Sequence, residues 1–188
     1  VCRVLDTGEH KQLPFVVLAY LGGGHLKQRF GTAQSLSLER RPFELLAWLK
    51  PLAVALDFVH AQSYLHRDVK PANIMVHEDG SAKITDFGVA KIVSQQMTRA
   101  GTIMGTPSYM SPEQVHGGEV SGRTDQFSLA VIAYEVLTGE KPFTAEYLPT
   151  LLFKIVREDP VAPHRLNPTL MPIVETVMSK ALAKNPQD

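Results

Sequence analysis

The chain has 188 residues and a mass of 20.7 kDa, the size of one domain or of most of a two-lobed one. Hydrophobic residues make up 44% and charged residues 20%, which excludes a disordered tail and a fibrous protein. Basic and acidic residues number 19 each, so the net charge is zero. We therefore expect no nucleic-acid partner and no contact of this segment with an anionic membrane.

Cys2 is the only cysteine, which excludes an internal disulfide and a thiolate zinc cluster and suits a reducing compartment. The longest apolar runs, residues 15–21 and 129–137, are shorter than the roughly eighteen residues of a membrane span. Val1 opens in the middle of a pattern and there is no initiator methionine, so we expect a piece of a longer protein. We expect this piece to be cytoplasmic, although the whole protein could be anchored to a membrane elsewhere.

The first half of the chain predicts two strands and a long helix. Residues 1–5 and 15–20 have the composition of strands, with a polar turn expected around residues 7–9. Residues 42–60 carry apolar side chains at helical spacing, which predicts a helix facing the core. Pro51 lies inside this segment and should kink or split the helix.

The second half predicts more helix than strand. Residues 64–65 suggest a short strand, and residues 86–124 suggest a long, irregular, functional loop. Residues 129–137 are apolar on nearly all sides, which predicts a buried helix capped by Gly139. A last amphipathic helix is expected over residues 172–184. Strands that precede helices favour the α+β class.

A hairpin in the middle of the chain brings metal-binding residue types together. Residues 74–76 and 82–85 flank Asp79-Gly80, a strong signal for a two-residue loop. With that loop, Asn73 lies opposite Asp86 at the open end of the hairpin. Amide and carboxylate oxygens suit Mg²⁺, which takes few protein ligands and completes its shell with water and phosphate.

Asp68 and Lys70 lie two residues apart in an extended loop, so both can face one pocket. An acid that accepts a proton and a cation that offsets phosphate charge are what phosphoryl transfer requires. Residues 66–73, His-Arg-Asp-Val-Lys-Pro-Ala-Asn, resemble the catalytic loop of protein kinases. Residues 86–88, Asp-Phe-Gly, resemble the magnesium-binding motif of the family, and residues 111–113, Ser-Pro-Glu, stand where it usually has Ala-Pro-Glu.

The order and spacing of these motifs are those of the family, and the resemblance covers essentially the whole chain. Lys70, with Gly105-Thr106, is similar to serine/threonine rather than tyrosine kinases, and the style of the motifs resembles the bacterial, eukaryotic-type branch. The resemblance implies an α+β, protein-kinase-like fold. Residues 1–21 would be the end of the small lobe and the hinge, and residues 22–188 the mostly helical large lobe.

The resemblance also implies roles for individual residues. Asp68 would be the catalytic base, and Lys70 would stabilise the transferring γ-phosphate of ATP. Asn73 and Asp86 would hold Mg²⁺. Thr106 would contact Asp68 and Lys70 from the substrate-binding loop.

Further implied roles concern the nucleotide and the support of the loop. Leu18 resembles the gatekeeper; Ala19, Tyr20 and Leu21 resemble the hinge that binds adenine, and Met75 would pack under the adenine ring. Asp125 would accept backbone hydrogen bonds from the segment that His66 and Arg67 form. The remaining support residues are Phe87, Gly88 and Glu113, and the candidate phosphorylation sites are Thr98 and Thr102. For His66 a packed core side chain is the favoured interpretation.

The function implied is transfer of the ATP γ-phosphate to serine or threonine hydroxyls of a protein substrate, with a kinase dimer as a possible assembly. A glycine-rich phosphate loop and its partner strand lysine cannot be found in the sequence, so we expect little activity from this chain alone. One alternative is a non-catalytic pseudokinase or scaffold module, against which the intact Asp68, Asn73 and Asp86 argue. Another is phosphotransfer to a small molecule on the same fold, against which the segment 105–113 argues.

Overall fold

The computed structural model describes residues 1–28, 37–77, 79–87 and 107–188. Strands β1 (Val4–His10) and β2 (Leu13–Leu18) form an antiparallel hairpin. Its loop is Lys11-Gln12, both with positive φ (50° and 65°), a backbone that matches the twist of the strands. The turn expected at residues 7–9 is wrong because these residues pair with β2, where the Phe15 ring covers Gly8.

Helix α1 (Arg41–Ala61) follows a short 3₁₀ turn at Leu38–Arg40 and runs through Pro51 as one element. The predicted helix is thus confirmed and is not split. Its buried face consists of Leu45, Trp48, Leu52 and Leu56. The strand expected at residues 64–65 is wrong, because the N–H of Tyr64 bonds back to the carbonyl of Val59 (3.0 Å) and closes the end of the helix.

Strands β3 (Ile74–Val76) and β4 (Ala82–Ile84) form the second hairpin, as predicted. Its register differs from the expected one by one residue, since Ile74 pairs with Ile84 and the His77 N–H donates to the Ser81 carbonyl. The last pair before the loop is therefore His77 and Ser81. Gly80, which precedes Ser81, has φ +84°, a left-handed backbone that glycine adopts without strain.

Five helices follow in the described part of residues 107–188. They are α2 (Pro112–His116), α3 (Gly122–Thr138), α4 (Leu148–Arg157), α5 (Pro163–Leu166) and α6 (Pro172–Ala181). The sequence predicted the buried part of α3, its Gly139 cap (φ +85°) and α6. It missed α4 and α5, and α2 and the first turn of α3 replace part of the loop expected over residues 86–124.

Helix α3 is the centre of the core. Thirteen of its seventeen residues are buried, and it packs against α1, α5 and α6. This explains why its sequence lacks a polar face. Among the described residues, strands are few and helices dominate, as in a kinase domain that lacks much of its small lobe. No helix within the described ranges has both the length and the apolarity to cross a membrane.

Candidate active site

The loop between α1 and β3 brings two polar side chains to the carboxylate of Asp68. Lys70 Nζ lies 2.6 Å from Asp68 Oδ2, and Asn73 Nδ2 donates to the same oxygen at 3.0 Å and to the Asp68 carbonyl at 2.8 Å. The 3₁₀ turn Pro71–Asn73 brings Asn73 back over the loop. Asp68 is about one-third exposed (33%), so its carboxylate is held in place and still open to solvent.

Asp125, in the first turn of α3, holds the backbone of this loop. Its Oδ2 accepts from the His66 N–H at 2.8 Å, and its Oδ1 accepts from the Arg67 N–H at 2.7 Å. Asp125 is fully buried, and Arg67 has φ +68°, a left-handed conformation that costs energy for a residue other than glycine. The carboxylate therefore fixes the loop at its strained point.

His60 is a second partner of Asp125 that the sequence did not single out. Its Nε2 lies 2.8 Å from Asp125 Oδ2. It sits in the last turn of α1, and its side chain is 21% exposed. A signal was present, because a histidine one residue before the end of a core-facing helix can reach the element packed on it.

His66 is buried, and its ring accepts one hydrogen bond and donates another. Its Nδ1 accepts from the Asp68 N–H (3.3 Å), so Nε2 carries the proton that is donated to the Thr85 carbonyl (2.7 Å). Burial lowers the pKa of His66, which agrees with a neutral ring. The ring centroid lies 4.6 Å from that of Phe87, so His66 links the catalytic-loop segment to the end of β4.

The corrected hairpin register sets Asn73 opposite Thr85 rather than Asp86. The Thr85 N–H donates to the Asn73 carbonyl at 2.9 Å. Asp86 is the next residue, is exposed and has φ +61°, so the chain turns sharply at its position. Asp86 therefore directly follows the residue that pairs with Asn73.

The side-chain oxygen atoms of Asn73 and Asp86 suit a hard divalent cation that takes few protein ligands. Both Nδ2 hydrogen bonds of Asn73 go to Asp68, and no donor among the described residues contacts its Oδ1. Asp86 is exposed. Across residues 1–28, 37–77, 79–87 and 107–188, no cluster of three or more His, Cys, Asp or Glu side chains could hold a metal. The donor set suits Mg²⁺, which keeps waters and phosphate oxygens in its shell.

The hinge candidates directly follow β2. The N–H of Ala19 donates to the Arg3 carbonyl, while the N–H groups of Tyr20 and Leu21 have no acceptor among the described residues. Tyr20 is strongly exposed, and Leu21 is buried. Leu18, the gatekeeper candidate, is the last residue of β2.

Strand β3 pairs with the segment that follows the hinge candidates. Met75, in β3, forms a bridge with His25, and the Val76 N–H donates to the Gly24 carbonyl at 2.8 Å. The segment just after the hinge candidates is thus tied to the hairpin that carries Met75. Met75 itself is partly exposed.

Helix α2 connects the motif at residues 111–113 to the rest of the site. Glu113 Oε1 accepts from the Thr124 hydroxyl (2.6 Å), next to Asp125 in α3. Ser111 caps α2 in a capping box with Gln114, whose Nε2 donates to the Arg67 carbonyl (2.8 Å). The spacing Ser-x-x-Gln is a sequence signal of a helix start. This signal was present in the sequence, but residues 111–113 were interpreted only as a family motif.

Four of the expected residues lie outside the described part of the chain. They are Gly88, Thr98, Thr102 and Thr106. Their expected roles stay predictions.

Comparison with known proteins identifies the family. A family model described as "Protein kinase domain" matches residues 1–188. Serine/threonine-protein kinase PknB of Mycolicibacterium smegmatis is 38% identical over 195 residues, which cover 100% of this chain and 31% of that protein. PknB of Mycobacterium tuberculosis is 37% identical over 100% of this chain and 30% of its own length. Serine/threonine-protein kinase PknL of Mycobacterium tuberculosis is 34% identical over 98% of this chain and 46% of its own length.

The chain thus spans about three tenths of the length of the PknB relatives that it matches. The similarity extends over the whole chain, and both the family description and the names of the relatives agree with the site. The chain belongs to the protein kinase domain family, on its bacterial, eukaryotic-type serine/threonine branch.

Proposed function

We propose that the protein transfers the γ-phosphate of ATP to serine or threonine hydroxyls of a protein substrate. One observation carries the proposal. Asp68 Oδ2 is held by Lys70 and Asn73, and no donor among the described residues contacts Asp68 Oδ1. A positioned carboxylate with one open oxygen can accept a proton from an incoming hydroxyl.

Lys70 and Asn73 act on Asp68 in different ways. The ammonium group of Lys70 offsets negative charge next to Asp68, and it is 28% exposed, so it can also reach a phosphate oxygen of a bound nucleotide. Asn73 donates one amide hydrogen bond to the Asp68 carboxylate and one to the Asp68 backbone carbonyl, so it fixes the side chain relative to the loop. Catalysis would rest on positioning and charge stabilisation, as is typical of phosphoryl transfer.

Asn73 Oδ1 and the Asp86 carboxylate are the atoms that would hold Mg²⁺. The ion, when bound, supplies positive charge that offsets the phosphate oxygens of ATP. The N–H of Leu21 has no acceptor among the described residues, which supports its assignment as a donor to adenine. ATP and a reducing environment for Cys2 would both be available in the cytoplasm, which is the location that we propose for this segment.

The test is transfer of labelled phosphate from ATP in the presence of Mg²⁺, with the protein expressed at its full natural length. The acceptors are the protein itself and a generic basic protein. Asp68→Asn is the matched control, because it removes the proton acceptor and preserves the shape of the side chain. We expect incorporation on serine or threonine, and a loss of about 10²–10⁴-fold in the Asp68→Asn variant.

A folded protein that binds Mg-ATP and transfers nothing would overturn the proposal and favour the pseudokinase or scaffold alternative. Incorporation into a small hydroxyl compound without incorporation into protein would favour the small-molecule alternative. Light scattering of the same sample tests the expected dimer.

A further inference from the structure

The side chain of Gln114 joins two separate segments of the site. Its Oε1 accepts from the Ser111 N–H at 3.0 Å, which completes the cap of α2. Its Nε2 donates to the Arg67 carbonyl at 2.8 Å, across 47 residues of chain. One amide group thus contacts both the cap of α2 and the loop that carries Asp68.

The contact falls on the most constrained peptide of that loop. Arg67 has φ +68°, and Asp125 Oδ1 holds its N–H from one side at 2.7 Å. Gln114 holds its carbonyl from the other side. That carbonyl and the N–H of Asp68 belong to one planar peptide unit, and the Asp68 N–H is in turn directed at His66 Nδ1 (3.3 Å). Gln114 and His66 therefore fix the peptide plane that leads into Asp68.

The helix cap alone does not require glutamine. The cap needs only an acceptor oxygen at this position, and a glutamate serves it equally well. The donor group of Gln114 is therefore free for another partner, and it is used on the Arg67 carbonyl. A glutamate there would place a carboxylate against that carbonyl oxygen, which repels it.

We propose that Gln114 is a positioning residue that holds the Asp68 carboxylate in its productive orientation and couples it to α2. This inference rests on the proposed kinase function. It deepens that function by naming a residue of α2 on which the orientation of Asp68 depends.

Gln114→Glu separates the two roles of the side chain, because it keeps the capping acceptor and removes the donor. We expect kcat to fall about 10- to 100-fold at pH 8, with KM for ATP within about threefold of the parent, because ATP binding does not use this contact. A protonated carboxyl group can donate to the Arg67 carbonyl again. The Arg67 carbonyl oxygen disfavours the charged form of a carboxyl group beside it, so the pKa of this glutamate should lie above its usual value, and we expect the ratio of variant to parent kcat to rise as the pH falls from about 8 to about 5.5.

Two further variants control this experiment. Gln114→Met removes both donor and acceptor with little change of shape, so we expect a low kcat without recovery at low pH. Gln126→Glu makes the same chemical change at an exposed position of α3, and we expect it to leave kcat unchanged. A pH-dependent recovery in Gln114→Glu alone supports the positioning role.

Hydrogen exchange of the backbone amides gives a readout that does not depend on activity. In Gln114→Glu we expect faster exchange at Arg67 and Asp68, with unchanged protection in α6. The parent protein could transfer no phosphate while exchange at Arg67 and Asp68 is still faster in Gln114→Glu. That result would overturn the proposed function and still support the role of Gln114 in holding the loop. Parental kcat together with parental exchange at Asp68 would overturn the inference. A loss of protection throughout the protein would also overturn it, since it would show a merely structural role.

Discussion

Asp125 Oδ1 accepts a hydrogen bond from the backbone N–H of Arg67 at 2.7 Å, across 58 residues of chain. The acceptor is a fully buried carboxylate on the central helix, and the donor is a residue with a left-handed backbone. A rigid, buried element thus holds a strained loop in place, and the strain persists because the surroundings over-determine it. The residue that follows is Asp68.

Replacement of Asp125 by asparagine should destabilise the protein and slow the proposed reaction. The amide retains one acceptor oxygen but directs an N–H₂ group at a backbone donor, so one buried N–H loses its partner. We expect the free energy of unfolding to fall by about 2–4 kcal/mol. Urea titration measures this change. Asp57→Asn, at an exposed position of α1, is the control, and a change as small as that control would contradict the expectation.

Replacement of His60 by leucine should also destabilise the fold, because Asp125 Oδ2 would lose one of its two partners. Hydrogen bonds to charged groups contribute about 1.5–3 kcal/mol, so a loss of about 1–3 kcal/mol is expected. The measurement is again chemical unfolding. His116→Leu, at an exposed histidine of α2, should change the stability by less than about 0.5 kcal/mol. Equal effects of the two substitutions would show that the His60 contact contributes nothing.

Lys184 should make stability depend on pH in the alkaline range. Burial lowers the pKa of its ammonium to about 8 from an ordinary value of 10.5, although Asp159 and Glu158 act in the opposite direction. Its Nζ lies 3.9 Å from the centroid of the Phe143 ring and donates to the Ile155 carbonyl. Between these two pKa values the unfolded chain binds more protons than the folded one, so this group raises stability as the pH increases.

The measurement is the difference in the free energy of unfolding between the parent and Lys184→Met at several pH values from about 7 to about 10. Other titrating groups contribute equally to both proteins, so the difference isolates Lys184. We expect the parent to gain stability relative to the variant above about pH 8. A difference that stays constant across the range would show that the Lys184 pKa is not lowered.

Replacement of Arg41 by methionine should stabilise the protein. Arg41 is 8% exposed, and within the described residues its Nε and Nη1 have no hydrogen-bond partner. Its guanidinium packs against Gly139 at the end of α3, where a side chain would not fit. Removal of a buried guanidinium that has two nitrogens without a partner among the described residues, with retention of the chain length, should raise the free energy of unfolding by about 1–3 kcal/mol.

Thermal unfolding of Arg41→Met beside Arg40→Met gives the comparison, since Arg40 is the exposed neighbour. The change at Arg40 should stay within about 0.5 kcal/mol. Destabilisation by Arg41→Met would mean that the buried guanidinium has a favourable partner.

The elements that the sequence predicted well are those with a strong local signal. The apolar spacing of α1, the apolar run of α3 with Gly139 behind it, and the hairpin around Gly80 all have patterns that follow from the period of a helix or a strand. Helix α4 was missed despite its amphipathic sequence, and α5 has only four residues. The turn of the first hairpin was misplaced because polar residues at 7–9 resemble a turn, whereas the Phe15 ring on Gly8 keeps them in the strand.

The register of the second hairpin shows the limit of local rules. A two-residue loop and a three-residue loop fit the same Asp-Gly signal, and the choice moves every cross-strand pair by one residue. In the folded protein, the Thr85 N–H bonds to the Asn73 carbonyl. Asp86 therefore lies one residue beyond this pair, and its carboxylate accepts a hydrogen bond from the Thr85 hydroxyl at 3.5 Å.

The sequence by itself determined which residues could carry the chemistry: Asp68, Lys70, Asn73 and Asp86 stand in motifs whose order and spacing are specific to one family. Only the tertiary structure decided which side chains hold the loop that carries Asp68 and Lys70. The contacts of His60 with Asp125 and of Gln114 with Arg67 join residues 65 and 47 positions apart. No periodicity or spacing encodes such pairs, because they arise when packed helices bring side chains to a shared backbone segment.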